Sequence, residues 1–418
     1  MRILQVIPYF YPALQYGGPI PVVMGLSRAM ADKGHKVTVA TTTAKGADEL
    51  DVVPGTVVER DNFEIIYFKR VRWERLFTAI PYVGQSVGFF YSPQLRAYLN
   101  DSIGRFDIVH VHDMFCYPAV KAGQIARHNG VPCFVHTHCL LDPARFVRRQ
   151  FKKTVFMSLV GRNLLNRASG VVALTETERE HLREHGVATE IGVIPNGTDC
   201  LLGQDEKSRY IVDPYSLGKK KVILFLGRLH LVKGIDLLIE SYASIAIRHP
   251  ESILLIAGPD EVGLKKQLMQ RVETLKLGDQ IRFIGMVQGT NKEYLLRRCD
   301  IFALTSYSEG FSIAILEALA FGRPVVITET CNFPDVGTHC AGFVSPAKTT
   351  EIAKSLDTLL NDPALRRTMG ENAVKLIETA YTWDIVAEKT VRFYQKAVKT
   401  HSACDLAEQK TVDINVPS

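Results

Sequence analysis

Ser308-Glu309-Gly310-Phe311-Ser312-Ile313-Ala314-Ile315-Leu316-Glu317-Ala318-Leu319 is the stretch from which the fold can be read. The apolar run Ile301-Phe302-Ala303-Leu304 just before it reads as a buried strand. Gly310 then breaks the chain, and Ile313, Leu316 and Ala320 continue at helical spacing. A strand, a tight loop and a helix follow in order, with one carboxylate at the loop and another in the helix. The start of such a helix, at Gly310, Phe311 and Ser312, offers unpaired backbone N–H groups that suit a phosphate. On a continuous helix Glu317 would lie about 12 Å beyond Glu309, too far for the two to share a proton. Carboxylates so spaced can hold hydroxyls on two sugars of one extended ligand, with a diphosphate between them. The plainer alternative has Glu309 complementing the helix dipole and Glu317 in solvent.

The same rhythm runs outward in both directions. Residues 222–226, 253–257, 281–284 and 324–327 read as strands around the quoted one, with helices between them. Earlier in the chain, residues 2–7, 36–40, 64–68, 107–112, 133–136, 170–175 and 191–197 read the same way, and helices are expected over 20–33 and 117–129. Polar, irregular sequence with Gly203, Pro214 and Gly218 separates the two series and reads as a linker. The expectation is an α/β chain of two doubly wound domains, residues 1–200 and 201–382. An amphipathic helix over 383–400 and a polar, frayed tail over 401–418 complete it.

Composition narrows the classes. The 418 residues are 46% hydrophobic and 22% charged, which describes sizeable cores. No run of eighteen apolar residues appears, so a spanning helix is not expected. The start is too short before Pro8 for a signal segment and reads as a first strand. A net charge of +6 favours anionic ligands or membrane surfaces without implying nucleic acid. The eight cysteines include no C-x-x-C pair, which points to a reduced, cytoplasmic chain without structural zinc.

Candidate chemistry collects where strands end, since ligands in parallel sheets sit beyond their C-terminal ends. Arg228 and Lys233 follow the strand at 222–226 and precede a helix starting near Ile235. Cations at that helix end do not serve the dipole; they need an anion, and a diphosphate fits. Gly17-Gly18 opens the first helix and lets backbone approach a phosphate or sugar closely, though the G-x-G-x-x-G fingerprint is absent. His112 with Asp113, and His138 with Asp142, fall just past two strand ends. Trp73, Phe77, Tyr82, Phe89, Phe90, Tyr91 and Tyr98 read as core packing. The basic–aromatic run from Arg145 to Lys153 is followed by Arg162 and Arg167, and no acidic residue interrupts from Pro143 to Leu174. It reads either as a solvated helix or as a contact for an anionic lipid or acceptor, which would place the chain peripherally on the inner face of the membrane.

Taken together, the chain resembles the retaining, nucleotide-sugar-dependent glycosyltransferases of group 1, over nearly its whole length. The resemblance rests on Glu309-x7-Glu317 within its loop–helix stretch, Gly227-Arg228-Leu229 with Lys233-Gly234, Ile194-Pro195-Asn196-Gly197, Gly17-Gly18 and Thr137-His138. It implies the GT-B architecture, two facing Rossmann-like domains with the site in a cleft between them and a last helix that crosses back to the first. It also implies that Arg228 and Lys233 bind the donor diphosphate and that Gly18 approaches it. Glu309 would contact the donor sugar, Glu317 the ribose, and the loop at Met286 and Val287 the base. His138 matches a histidine near the transferred sugar; the family commonly has glycine next, and here it is Cys139. His112, Asp113 and Asn196 are assigned to the acceptor side.

The reaction expected is transfer of a hexosyl unit from a UDP- or GDP-sugar to a glycan or lipid-linked acceptor, with retention. No D-x-D motif occurs, so no metal or other cofactor is expected, and Arg228, Lys233 and the helix dipole take the metal's place. A nucleotide-sugar epimerase shares the architecture and stands as the alternative, as does inverting transfer with His138 as base. A phosphorylase would need a marked pyridoxal phosphate lysine, and a non-catalytic sensor would not need every charged position.

Overall fold

A computed structural model describes residues 1–72, 90–146, 150–200 and 213–413. Trp73, Phe77, Tyr82, Phe89, Arg148, Arg149 and the heart of the expected linker lie outside the described residues, as do the side chains of Arg145 and of residues 400–413. The chain divides into two compact units, Met1–Pro195 with Trp383–Ser418, and Asn196–Thr382.

In the first unit the strands are β1 (Arg2–Val6), β2 (Lys36–Thr42), β3 (Ala44–Lys45), β4 (Asp48–Glu49), β5 (Val57–Arg60), β6 (Phe63–Phe68), β7 (Ile108–His112), β8 (Cys133–His136), β9 (Gly170–Ala173) and β10 (Ile191–Val193). Eight of them form one sheet in the order β10-β9-β8-β7-β1-β2-β6-β5. All pairs are parallel except β5 with β6. Strands covered on both faces read as continuous apolar runs, and β7 and β8 are buried at every residue. β5 and the small β3–β4 hairpin escape the sequence reading because their residues are short and largely exposed, so no burial pattern marks them.

The second unit holds β11 (Lys221–Leu226), β12 (Ser252–Ala257), β13 (Ile281–Gly285), β14 (Ile301–Leu304), β15 (Val325–Thr328) and β16 (Gly342–Ser345). They form a wholly parallel sheet in the order β13-β12-β11-β14-β15-β16. β11 and β14 pair at its centre, which puts the loops after Leu226 and Leu304 side by side.

The last helix, Trp383–Asp413, belongs to the first unit. Its indole lies where a Cβ on Gly25 would fall, 2.1 Å from Trp383 Cε2, so only glycine fits there on the Pro19–Asp32 helix. Phe393 sits over Gly170 and Gly192, where added Cβ atoms would come within 2.6 and 3.0 Å of its ring. Lys33 pairs with Glu388 at 2.8 Å, and Lys396 with Glu190 at 2.7 Å. The helix runs to Asp413 through the strong helix formers Ala403, Leu406, Ala407, Glu408 and Lys410, where a frayed tail was expected. The division between units falls at 195/196 rather than at 200. Past β10 the chain already bonds to second-unit backbone, with Thr198 N–H donating to the Tyr381 carbonyl at 2.9 Å.

Candidate functional site

In the second unit the loops after β11 and β14 meet at Gly234. Its φ is +58°, and a Cβ there would lie 1.9 Å from the Thr305 carbonyl oxygen, so both conformation and space demand glycine. Thr305 Oγ1 closes the contact by donating to the Gly234 carbonyl at 2.7 Å. A 3-10 turn, Leu231–Lys233, is capped by His230, whose Nδ1 accepts from Val232 N–H at 3.2 Å. This turn delivers half-buried Lys233 to buried Glu309, and the two form an ion pair.

Glu309 is held from several sides. Its N–H donates to the Thr330 carbonyl at 3.1 Å, its own carbonyl accepts from Asn332 Nδ2 at 2.7 Å, and Ser306 Oγ donates to its carboxylate at 3.4 Å. The helix after it, Ile313–Ala320, begins past Glu309, so the spacing expected on a continuous helix does not apply. Ser312 occupies its N-cap without a side-chain cap bond. Gly310, Phe311 and Ser312 are all buried in the turn. Phe311 is anchored by Phe333 and Tyr381, with ring centroids 4.6 and 5.8 Å away.

Glu317, on that helix, pairs with Lys292 at 2.6 Å. Arg228 is half-exposed and pairs with Glu261 at 2.7 Å, so both expected phosphate-binding cations already hold carboxylates. Met286 is exposed and Val287 half-buried after Gly285, whose φ is +75°. Asn196, assigned from sequence to the acceptor side, lies in this unit. Its Nδ2 donates to the Phe311 carbonyl at 3.0 Å, and its buried Oδ1 has no hydrogen-bond partner among the described residues.

In the first unit, Gly17 takes φ +87° and Gly18 starts the Pro19–Asp32 helix with helical angles of −53° and −38°. A Cβ at either glycine would meet no atom within 4 Å. His110, His112 and His136 share one face of β7 and β8, because residues two apart point the same way and His112 registers with His136. His138 follows past the strand end and stacks on His136 with ring centroids 3.8 Å apart. His112 lies 3.1 Å from His138 Nε2 through its Nδ1 and 2.6 Å from Gln5 Oε1 through its Nε2. Tyr394 from the last helix shares a 2.7 Å bond with His110 Nδ1. Burial is the main cause that pushes His110 down to about 3 and holds His112 and His136 well below the usual range. Those three rings are therefore neutral at physiological pH.

Asp113, His138 and Cys139 all take left-handed angles, with φ of +69°, +50° and +58°. Asp113 Oδ1 accepts from Phe115 N–H at 3.0 Å, and burial raises its carboxyl against that bond. Cys139, at the position where resembling chains have glycine, thus adopts the backbone glycine would, at a cost of about 1–3 kcal/mol. Glu178 supports it. This buried carboxylate accepts from Cys139 N–H, from Thr137 Oγ1 at 2.6 Å and from Leu174 N–H at 2.6 Å. Sequence reasoning missed Glu178, although Thr175-x-x-Glu178 has capping-box spacing, and Thr175 Oγ1 does accept from Glu178 N–H at 3.1 Å. Asn332, Lys292, Glu261 and Gln5 were also missed, and no local signal marks them.

The one group of metal-capable side chains among the described residues is His110, His112 and His136, with a ligand atom from each within 4.8 Å of the others. No described carboxylate or thiolate joins it, and both His112 nitrogens are engaged. A divalent ion there would bring two uncompensated charges into a buried site, so the set fits a metal poorly. No described helix is long and apolar enough to cross a membrane.

Two family models match in succession. Residues 16–200 match Glycosyltransferase Family 4 and residues 209–376 match Glycosyl transferases group 1. The chain is 31% identical to an uncharacterised glycosyltransferase of Methanocaldococcus jannaschii over 210 residues, 50% of this chain and 53% of that one. It is 27% identical to D-inositol 3-phosphate glycosyltransferase 2 of Catenulispora acidiphila over 92% of this chain and 91% of that one. A human phosphatidylinositol N-acetylglucosaminyltransferase polypeptide is 25% identical over 94% of this chain and 76% of its own. In fold, the chain superposes on Anabaena HepE in complex with UDP and glucose with a TM-score of 0.71, at 21% identity, covering 96% of this chain and all of that one. Sucrose-phosphate synthase of Thermosynechococcus elongatus gives the same TM-score at 19% identity, over 96% of this chain and 100% of its own.

Proposed function

The chain belongs to the group 1 glycosyltransferases of GT-B fold, and on that premise we propose that it moves a hexosyl unit from a UDP- or GDP-sugar to a hydroxyl of a glycan or lipid-linked acceptor, with retention and without a metal ion. The observation that carries this is the Lys233–Glu309 pair, set at the C-terminal end of a parallel sheet by a glycine nothing else can replace. Departure of a nucleoside diphosphate leaves negative charge, which cations and helix N–H groups fixed beforehand can stabilise. An ammonium has three donors; one serves Glu309, and the others suit phosphate oxygens. The Glu309 carboxylate, carried on a backbone fixed by Asn332 and Thr330, suits donor sugar hydroxyls. Glu317 can accept a ribose hydroxyl on the oxygen that does not face Lys292. Arg228, swinging on its exposed Glu261 contact, adds charge at the diphosphate.

Retention follows if the acceptor oxygen attacks from the leaving-group face and its proton passes to a phosphate oxygen of the donor. His138, held by His112, then orients an acceptor hydroxyl rather than acting as a base. Relatives named for D-inositol 3-phosphate and phosphatidylinositol support a hydroxylated acceptor bearing phosphate. The test is a panel of UDP-, GDP- and ADP-sugars scored by thermal shift and by donor hydrolysis, followed by NMR of the transfer product. Stabilisation by one donor and a product of unchanged anomeric configuration are expected. An inverted product would assign the base role to His138, and a changed sugar without an acceptor would make the chain an epimerase.

A further inference from the structure

We propose that the exposed face of the helix running from Gln150 to Asn166 is a docking surface for an anionic phospholipid bilayer. Phe151, Val155 and Leu159 recur four residues apart and are 81%, 40% and 73% exposed. Single exposed apolar side chains need no explanation, but three along one helix face make a patch. The other side of the helix is fully committed. Met157 and Leu165 belong to the core, and Gly161 is so crowded that a Cβ would meet Met157 sulfur at 2.6 Å.

The charge around this stripe has one sign. Lys152, Arg162 and Arg167 are exposed, and no aspartate or glutamate occurs from Pro143 to Leu174. Leu159 also edges a cavity of about 170 Å³ that it shares with Gln124, Arg127, Asn163 and Arg167. Two guanidiniums and two amides beside an apolar edge match a phosphate headgroup above its acyl chain. An acidic soluble partner would complement the cations and leave Phe151 and Leu159 wet; a bilayer satisfies both. A helix with an apolar stripe flanked by cations lies in the interface plane of such a bilayer.

The experiment sediments the full-length protein with vesicles of phosphatidylcholine, alone or with about one-third phosphatidylglycerol, at low salt and at about 0.5 M salt. Binding to the anionic vesicles alone, lost at high salt, is the expected result. The double variant Phe151→Ser/Leu159→Ser should weaken it by at least about tenfold. Charge reversal by Lys152→Glu/Arg167→Glu should weaken it by about fivefold per cation. Circular dichroism and thermal melting of each variant establish that it is folded. Absence of wild-type binding, equal binding to neutral vesicles, or unchanged binding by the serine variant would overturn the proposal. So would binding to soluble dextran sulfate without vesicle binding, or a dimer that the serine substitutions abolish while vesicles are ignored. Sedimentation reads no transfer chemistry, so its failure and that of the glycosyl-transfer reading are separate.

Discussion

A methyl group at Gly18 would meet no atom of the chain within 4 Å, and the residue already has helical angles. Neither conformation nor internal packing therefore asks for glycine there, unlike Gly234, where both do. Close approach of the proposed donor would be such a reason, and one substitution separates that function from stability. Gly18→Ala should leave stability unchanged or raise it by up to about 1 kcal/mol, while weakening donor binding by about tenfold or more. Calorimetric titration beside thermal melting reads both. Glu309→Gln behaves differently, because it removes the charge partner of the half-buried Lys233. It should cost about 3 kcal/mol and lower turnover by about a hundredfold, with the circular dichroism of a folded protein retained. Lys233→Ala should act mainly on donor affinity; wild-type rates in either variant would remove the pair from the site. Glu309, Lys233 and Glu317 were legible because strand, loop and helix signals bracket them within a few residues. Asn332, Lys292 and Glu261 were not. Each meets its partner across 23 to 33 residues, with no motif in between.

At the scale of elements, the turn after β8 is the place where sequence and conformation disagree. Cys139 adopts a backbone suited to glycine, and Glu178 holds it there through its N–H. Cys139→Gly should stabilise the first unit by about 1 kcal/mol and keep activity; a loss of stability would mean the buried thiol's packing outweighs the strain. The histidine face of β7 and β8 sets the acid response. His110 is pushed down to about 3 from an ordinary 6.5, mainly by burial, so below pH 6.5 the unfolded chain binds the additional proton. Its contribution is complete above that pH and is lost as pH falls towards 3, by at most about 1.4 kcal/mol per pH unit. Thermal melts should be flat above neutrality and decline through this window, and His110→Gln should flatten the decline. The strands carrying these residues were legible because burial on both faces makes them continuous apolar runs. β5, the β3–β4 hairpin and the helical continuation to Asp413 lack that signature, since their residues are short, exposed or chosen by propensity alone.

For the whole molecule, the informative fact is that the first unit is discontinuous in sequence. Its sheet is finished by residue 193, yet Trp383, Phe393 and Tyr394 fill the space over Gly25, Gly170 and His110 from the far end of the chain. Ending the chain at Thr382 should therefore damage the unit that is long since complete in strands. The second unit, Asn196–Thr382, should melt as before. Calorimetry should show one transition lost or broadened and the other preserved, and hydrogen exchange should assign the loss to β7, β8 and the Pro19–Asp32 helix. On the ribosome the same arrangement fixes an order of events. The second unit is contiguous and can close as soon as it emerges, whereas the first must wait with an apolar groove open until the Trp383–Asp413 helix is made. A nascent chain thus carries its earliest-made sheet unsealed until residues 383–397 have emerged, and that helix acts as the latch that ends its exposure to chaperones and proteases.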